Sequence, residues 1–365
     1  MHSNLSSSSP SLSASKKKSV VIVDDSRTLR NWLRVVLEQE PRLEVVGEAD
    51  CAQAARQVIK ATNPDVITLD IEMPGMNGID FLEKLMTLFP KPVVMISGAT
   101  RSNSEATITA LSLGAVDCIL KPGMGADEAE CKNIARRVFS AACSTVQRIQ
   151  KPAPAVTRTA SALDQSGTPL IVIGASTGGV GALERVLADL PIDGPPVVIV
   201  QHMPGAFLLS FSQLLNRNLP LDVALAREGE PLSPGQIRLA PADGAHTHIR
   251  RIGGRWQCYF EPDDGQSLHC PSVDALFHSA EPFSKDIIGV ILTGLGKDGA
   301  EGLHRLHHGG ALTFGQDEGT SVVYGMPRAA FENGAVQVQL PLQDIGAAVN
   351  RAVLQHASTS HRRGQ

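Results

Sequence analysis

The sequence predicts two successive α/β domains: a flavodoxin-like unit, then a second doubly wound unit with a mainly parallel sheet. Three observations carry that prediction. Short apolar, β-branched runs alternate with segments of helical periodicity along most of the chain. A stretch at 144–168, rich in Ser, Thr, Ala and Pro and without a long apolar period, splits the alternation into two blocks. Polar residues of chemically active type stand where the apolar runs end, at the rim where open α/β sheets bind ligands. A length of 365 residues also suits two domains better than one.

The first block covers 19–143. Strands are predicted at 19–23, 43–46, 65–69, 92–96 and 117–120, and helices at 27–40, 51–62, 78–89, 105–113 and 127–142. The helix at 27–40 is typical, its apolar face formed by Leu29, Leu33, Val36 and Leu37. Asp24 and Asp25 follow the first strand, Asp70 the third, Ser97 the fourth and Lys121 the fifth. Clustered carboxylates repel one another, so Asp24, Asp25 and Asp70 call for a hard cation with oxygen ligands, most simply Mg²⁺. Asp70 can then attack a phosphoryl group while the metal and Lys121 neutralise the developing charge. Solvated loop acids would explain single residues but not their coincidence at strand ends.

The second block, 169–350, opens with LIVIGASTGGVGALERVLADL at 170–190. A strand runs into a glycine-rich turn, and Leu183, Val186, Leu187 and Leu190 mark a helix beyond it. Residues 174–178 satisfy G-x-S-x-G, with Ser176 as an exposed nucleophile. The same text also reads as a phosphate cradle with Ser176 as a helix cap. Two later strands favour the nucleophile: 197–200 ends in Gln201-His202-Met203-Pro204, and 287–292 ends just before Asp298 and a helix at 299–308. Ser176, His202 and Asp298 thus each follow a parallel-type strand, which puts them in one crevice as nucleophile, general base and imidazole holder. Their chain order differs from that of α/β-hydrolases. No acidic residue ends a second strand about 20 residues after the glycine turn, as a dinucleotide fold requires; His202 follows that strand instead. His246 and His248, and His304, His307 and His308, have no cysteine or acid completing a ligand set. They read as a solvated strand edge and a solvated helix face.

Composition excludes several classes. A net charge of −4 and 4% aromatic content disfavour nucleic acid as a partner. No apolar run approaches the ~18 residues of a membrane span, so no membrane insertion is expected. The six cysteines (51, 118, 131, 143, 258 and 270) form no C-x-x-C pair and read as reduced thiols of a cytoplasmic protein. Residues 1–18 lack a signal-peptide apolar region and read as a disordered polar tail, and 351–365 as a second polar tail.

The first block resembles the receiver domain of two-component response regulators, over about 18–145. The resemblance rests on Asp24-Asp25, LDIEMPGMNG around Asp70, Ser97, and Lys-Pro at 121–122. It implies phosphotransfer from a histidine kinase to Asp70, with Ser97 and Lys121 sensing the phosphate. One departure is Cys118, three positions before the lysine, where receivers usually carry an aromatic residue.

The second block resembles the catalytic domain of chemotaxis response-regulator protein-glutamate methylesterases. Matching segments are IGASTGG around Ser176, QHMP around His202, LAPADGAH at 239–246, PSVDALFHSA at 271–280, LTGLGKDGAEG at 292–302 and SVVYGMPRAA at 321–330. The resemblance implies a triad of Ser176, His202 and Asp298, with backbone N–H donors near Thr177 and Leu295 as the oxyanion hole. It implies release of methanol from glutamyl methyl esters on methylated chemoreceptors, deamidation of receptor glutamines, and a chemotaxis histidine kinase as phosphodonor. No cofactor is expected for the esterase. The receiver is expected to cover the crevice until Asp70 is phosphorylated. Cys270, before PSVD, stands where a basic residue is common, and HMPGAF differs slightly from the usual text. The same chemistry on receptors of a non-flagellar array, or a phosphate-sink regulator, are the alternatives. A DNA-binding output is excluded by the lack of a helix-turn-helix text in 169–350.

Overall fold

Strands buried on both faces build two parallel sheets, as their continuous Val/Ile/Leu text requires. The computed structural model describes residues 16–122, 126–144 and 168–363. Most of the tail read at 1–18 and of the linker at 144–168 therefore lies outside the described residues.

In the first unit β1 (Lys18–Val23), α1 (Arg27–Glu38), β2 (Leu43–Ala49), α2 (Ala52–Thr62) and β3 (Val66–Asp70) lead on to α3 (Gly78–Leu88). Then come β4 (Val93–Ser97), α4 (Arg101–Ser112), β5 (Asp117–Leu120) and α5 (Glu128–Ala142). The strand order is β2-β1-β3-β4-β5 with every pairing parallel, the flavodoxin-like order expected from the sequence. Side-chain oxygens of Ser26, Asn77, Thr100 and Asp127 accept a backbone N–H three residues on and so start α1, α3, α4 and α5. The Thr100 cap explains why α4 begins at Arg101 rather than at 105, where its apolar period first becomes visible.

The second unit contains β6 (Leu170–Ala175), α6 (Gly179–Leu187), β7 (Val197–Gln201), α7 (Gly205–Asn218), β8 (Asp222–Leu225) and β9 (Gln236–Leu239). A hairpin of β10 (Ala245–Ile252) and β11 (Arg255–Pro262) follows, then α8 (Val273–Ala280), β12 (Ile287–Ile291) and α9 (Ala300–His308). The chain closes with β13 (Leu312–Gln316), α10 (Met326–Glu332), β14 (Val338–Leu340) and α11 (Leu342–Arg363). Seven strands pair in parallel in the order β14-β13-β12-β6-β7-β9-β8, and the antiparallel β10-β11 ribbon stands apart. From β6 the chain builds outward to β7 on one side and later to β12 on the other. That reversal opens a crevice at the carboxyl end of β6. The sequence reading of a polar tail from 351 is corrected here: α11 continues to Arg363, and Ala352 and Val353 are buried against the core.

The two units share a hydrophobic cluster that includes Ile108, Leu111 and Cys118 from the first and Val180, Leu183 and Phe211 from the second. Helix α4 packs against α6 and α7 across the seam.

Candidate functional site

The turn after β6 is a strand-to-helix elbow made possible by close backbone approaches. Gly174 lies against α8, where a Cβ would come within 2.3 Å of Val273 Cγ1. Gly178 turns the chain at φ +79° with Val322 2.5 Å from where its Cβ would stand. The Ser176 N–H donates to Thr293 O (3.0 Å), tying the elbow to the end of β12. Gln201 at the end of β7 donates through Nε2 to the carbonyls of Ser176 (2.9 Å) and His202 (3.0 Å). Three strand ends are thereby stitched together: Ser176 and His202 directly follow two of them, and Asp298 lies in the loop after the third.

His202 Nε2 and Asp298 Oδ2 lie 2.8 Å apart. Asp298 also accepts from Val273 N (2.8 Å), Asp274 N (2.9 Å) and Ser272 Oγ (2.9 Å) at the amino end of α8. Burial works to raise the Asp298 carboxyl, but the hydrogen bond and charge of His202 and the α8 amides outweigh it and hold it well below the usual range. An ionised acceptor on Nε2 fixes the tautomer: the proton sits on Nε2 and the lone pair on Nδ1. His202 Nδ1 is buried and has no hydrogen-bond partner. Ser176 and His202 face one cavity of about 630 Å³ that also takes in Thr177, Leu295 and His269. Among the described residues the backbone N–H groups of Thr177 and Leu295 make no hydrogen bond, so both are free to serve an oxyanion.

The first unit reaches this cavity. Asn133, Arg136 and Arg137 of α5 line it opposite the serine. Val116 O accepts the Gly178 N–H (3.1 Å), and the Thr177 hydroxyl donates to Asp117 Oδ2 (3.1 Å). Asp117 is itself held by Arg137 Nε (2.9 Å) and by its neighbour's N–H from Cys118 (2.8 Å). Cys118, predicted to differ from an aromatic position, is buried in this seam, and burial pushes its thiol pKa up.

At the carboxyl rim of the first sheet, oxygens of Asp24, Asp25 and Asp70 lie within 4.8 Å of one another. Lys121 Nζ stands 2.7 Å from Asp70 Oδ2 and 3.5 Å from Asp24 Oδ2. Burial raises the pKa of both Asp24 and Asp70, with Lys121 opposing it. Asp24 Oδ2 is buried without a hydrogen-bond partner, an orphaned acceptor in an all-oxygen donor set, as a hard divalent cation requires. Ser97 is fully buried on the adjacent strand, and its carbonyl accepts the Lys121 N–H (2.7 Å).

His246 is not on a solvated edge. It is buried, its Nε2 lies 3.1 Å from Asp263 Oδ1, and its Nδ1 accepts the Ser272 N–H (3.1 Å). An acid and a cysteine do stand beside it, since ligand atoms of His246, Asp263 and Cys270 lie within 4.8 Å. Both ring nitrogens are engaged, however, which leaves no lone pair for a cation and makes His246 a clasp between the two ends of loop 263–272. His248 is half-buried against Tyr259 (5.2 Å between centroids), also unlike the solvated reading. His304 and His308 lie on α9 with rings 4.2 Å apart; His308 is exposed, but His304 and His307 are half-buried and His307 Nδ1 lies 3.4 Å from Thr313 Oγ1, so the solvated reading holds for His308 alone. Sequence reasoning missed Gln201, the His246 clasp and His269, because their partners are distant in the chain. The signal for His269 was a histidine inside the otherwise polar loop before α8.

Residues 171–349 match the family described as CheB methylesterase, and residues 20–130 the response regulator receiver domain. A protein-glutamate methylesterase/protein-glutamine glutaminase of Rhizobium etli is 48% identical over 333 residues, 90% of this chain and 95% of that one. One of Caulobacter vibrioides is 46% identical over 333 residues, covering 90% of this chain and 96% of its own. The solved methylesterase catalytic domain of Thermotoga maritima CheB is 33% identical, covering 50% of this chain and 96% of that one, with a TM-score of 0.48. Among the described residues no helix is long and apolar enough to cross a membrane.

Proposed function

The chain belongs to the protein-glutamate methylesterase/protein-glutamine glutaminase family that carries a receiver domain, and on that premise we propose that Ser176, His202 and Asp298 perform its hydrolysis. The enzyme demethylates glutamyl γ-methyl esters of chemoreceptors and deamidates receptor glutamines, under control of receiver phosphorylation. The observation that carries the residue assignment is the Asp298–His202 pair, whose Nδ1 has no partner and whose imidazole residue lines one cavity with Ser176.

The steps follow from those positions. Ser176 Oγ attacks the ester carbonyl and its proton passes to His202 Nδ1. Charge develops on the former carbonyl oxygen, where the N–H groups of Thr177 and Leu295 receive it. The imidazolium, stabilised through Nε2 by Asp298, delivers its proton to departing methanol. A water then gives a proton to the same nitrogen and attacks the acyl carbonyl, releasing glutamate and restoring Ser176. With a glutamine side chain the departing group is ammonia and the remaining steps are unchanged. The Ser176 hydroxyl and His202 do not hydrogen-bond to each other in this structure, so substrate entry must complete the alignment.

In the receiver, Asp70 accepts the phosphoryl group from a two-component histidine kinase of a chemosensory array. Asp24, Asp25 and Asp70 would hold Mg²⁺, which when bound offsets charge on the phosphoryl oxygens. Lys121 supplies a fixed positive charge beside Asp70, and Ser97 supplies a hydroxyl on the next strand.

Methanol release from methylated receptor membranes, with and without a small-molecule phosphodonor and Mg²⁺, tests the whole reading. Ser176→Ala is expected to abolish release, and Asp70→Asn to leave a basal rate that the phosphodonor cannot raise. Undiminished release by Ser176→Ala would remove the triad assignment.

A further inference from the structure

The catalytic imidazole is not bare on its open face. His269 lies flat against it, with ring centroids 4.0 Å apart and planes inclined by 22°. The two rings come from unrelated parts of the chain, His202 from the end of β7 and His269 from the loop between β11 and α8. Among the described residues neither nitrogen of His269 makes a hydrogen bond, so its ring is placed for its face rather than for its polar atoms.

The loop that carries His269 is fixed at both ends. At one end Asp263 is held by His246 Nε2 (3.1 Å) and by Gly244 O, which accepts the Asp263 N–H (3.0 Å). At the other, Ser272 donates its N–H to His246 Nδ1 (3.1 Å) and its hydroxyl to Asp298 Oδ1 (2.9 Å). One buried histidine therefore closes the loop, and the loop's last anchor is the carboxylate that binds His202. The arrangement ties the stacked ring to the same frame as the Asp298–His202 pair.

Resting on the triad reading above, we infer that His269 is a positioning residue, whose stacked ring fixes the plane of His202 so that Nδ1 is presented to Ser176. Among the described residues the His202 ring has a hydrogen bond only at Nε2, which leaves rotation about the His202–Asp298 direction unrestrained by any polar contact. The face contact supplies that restraint. Charges around the pair come from every neighbouring element: Asp298 and Lys297 beyond β12, Asp274 on α8, and Arg136 and Arg137 of α5. Burial first, then His202 and the two arginines, pull His269 down to about 4, against the attraction of Asp298. Burial therefore favours the neutral form of the stacked partner. A neutral ring face tolerates the imidazolium formed during catalysis, whereas a second cation would oppose it.

The test uses the full chain, activated by phosphodonor and Mg²⁺, with methylated receptor membranes as substrate and a thermal melt of each variant. His269→Gln, polar and without a flat ring, is expected to lower kcat roughly ten- to hundredfold, as misplacement of a general base does, with KM changed less than about threefold. His269→Phe, which retains a flat face and no charge, is expected to keep kcat within about threefold of the parent. Three results would overturn the inference: Gln matching Phe, a loss confined to KM, or Phe as impaired as Gln in a protein with a normal melt. Ser176→Ala, run alongside, separates the two readings. If it stays active, the triad falls and this inference with it. If it is dead while His269→Gln keeps full kcat, only the role of His269 falls.

Discussion

A carboxylate that accepts four hydrogen bonds has little freedom to be anything but an anion, and Asp298 is in that position. Its donors are His202, Ser272, and the amides of Val273 and Asp274. Asp298→Asn turns one acceptor edge into a donor facing N–H groups, and it removes the partner that sets the His202 tautomer. Hydrolysis is expected to fall about 10³- to 10⁴-fold, read as kcat on methylated receptor membranes. The same carboxyl is held below its ordinary value in the folded state. A depressed folded value stabilises the fold above the unfolded value near 4, and that stabilisation is lost as pH falls toward the folded value. The melting-point gap between wild type and Asp298→Asn is therefore expected to be full at neutral pH and to narrow below about pH 4. A gap independent of pH would show that the bonds, not the charge, matter. Ser176 and His202 were legible because each directly follows an apolar strand, and Asp298 because it stands in the short loop between an apolar strand and the next helix. His246 and His269 were not: their partners lie 17 to 67 positions away, and no local period announces a clasp or a stack.

Elements were most legible where packing is two-sided. Strands β1, β3, β4, β6, β7 and β12 are continuous apolar runs, and their text fixes them within a residue or two. The β10-β11 ribbon was not legible, because its residues alternate between a buried face and solvent and carry His, Arg and Thr. Helix α11 hid for a related reason, since its buried residues after 350, Ala352 and Val353, are small and few amid polar neighbours. The elbow shows how glycine text carries distinct demands within four residues. Gly178 is left-handed and pressed against Val322, so Gly178→Ala is expected to cost about 1–3 kcal/mol and to displace Ser176. Gly181, inside α6, has open space where a Cβ would go, so Gly181→Ala is expected to be neutral or to stabilise by up to about 1 kcal/mol. Urea unfolding of the two variants checks the contrast, and equal losses would mean that the elbow's shape is set elsewhere.

Across the whole molecule, two rims are connected by one short strand. β5 begins at Asp117, which binds Thr177 beside the proposed nucleophile Ser176, and Lys121, next to Asp70, follows directly after its end. Burial raises Asp24 and Asp70, and protons therefore compete with the cation for the same oxygens. Mg²⁺ affinity is expected to weaken as pH falls toward the carboxylate range, and to begin doing so above the pH at which an ordinary aspartate would titrate, as calorimetric titration reads it. An affinity flat across that range would place the cation away from these two carboxylates. On the proposed reading, a phosphoryl group on Asp70 would take up Lys121, whose backbone is bonded to Ser97 of β4. The closed arrangement persists only while the seam contacts outweigh that pull, a balance of populations rather than a fixed lock. The seam's polar contacts include the buried Thr177 hydroxyl on Asp117, whose carboxylate keeps Arg137 when the hydroxyl is removed. Thr177→Val deletes that bond and preserves shape. A hydrogen bond to a carboxylate contributes about 1 kcal/mol or more, so the ratio of phosphorylated to unphosphorylated hydrolysis is expected to fall about fivefold or more. The fall should come from a higher unphosphorylated rate, because the contact exists only with the receiver docked. An unchanged ratio would mean that the apolar packing of α4 on α6 and α7 holds the seam alone.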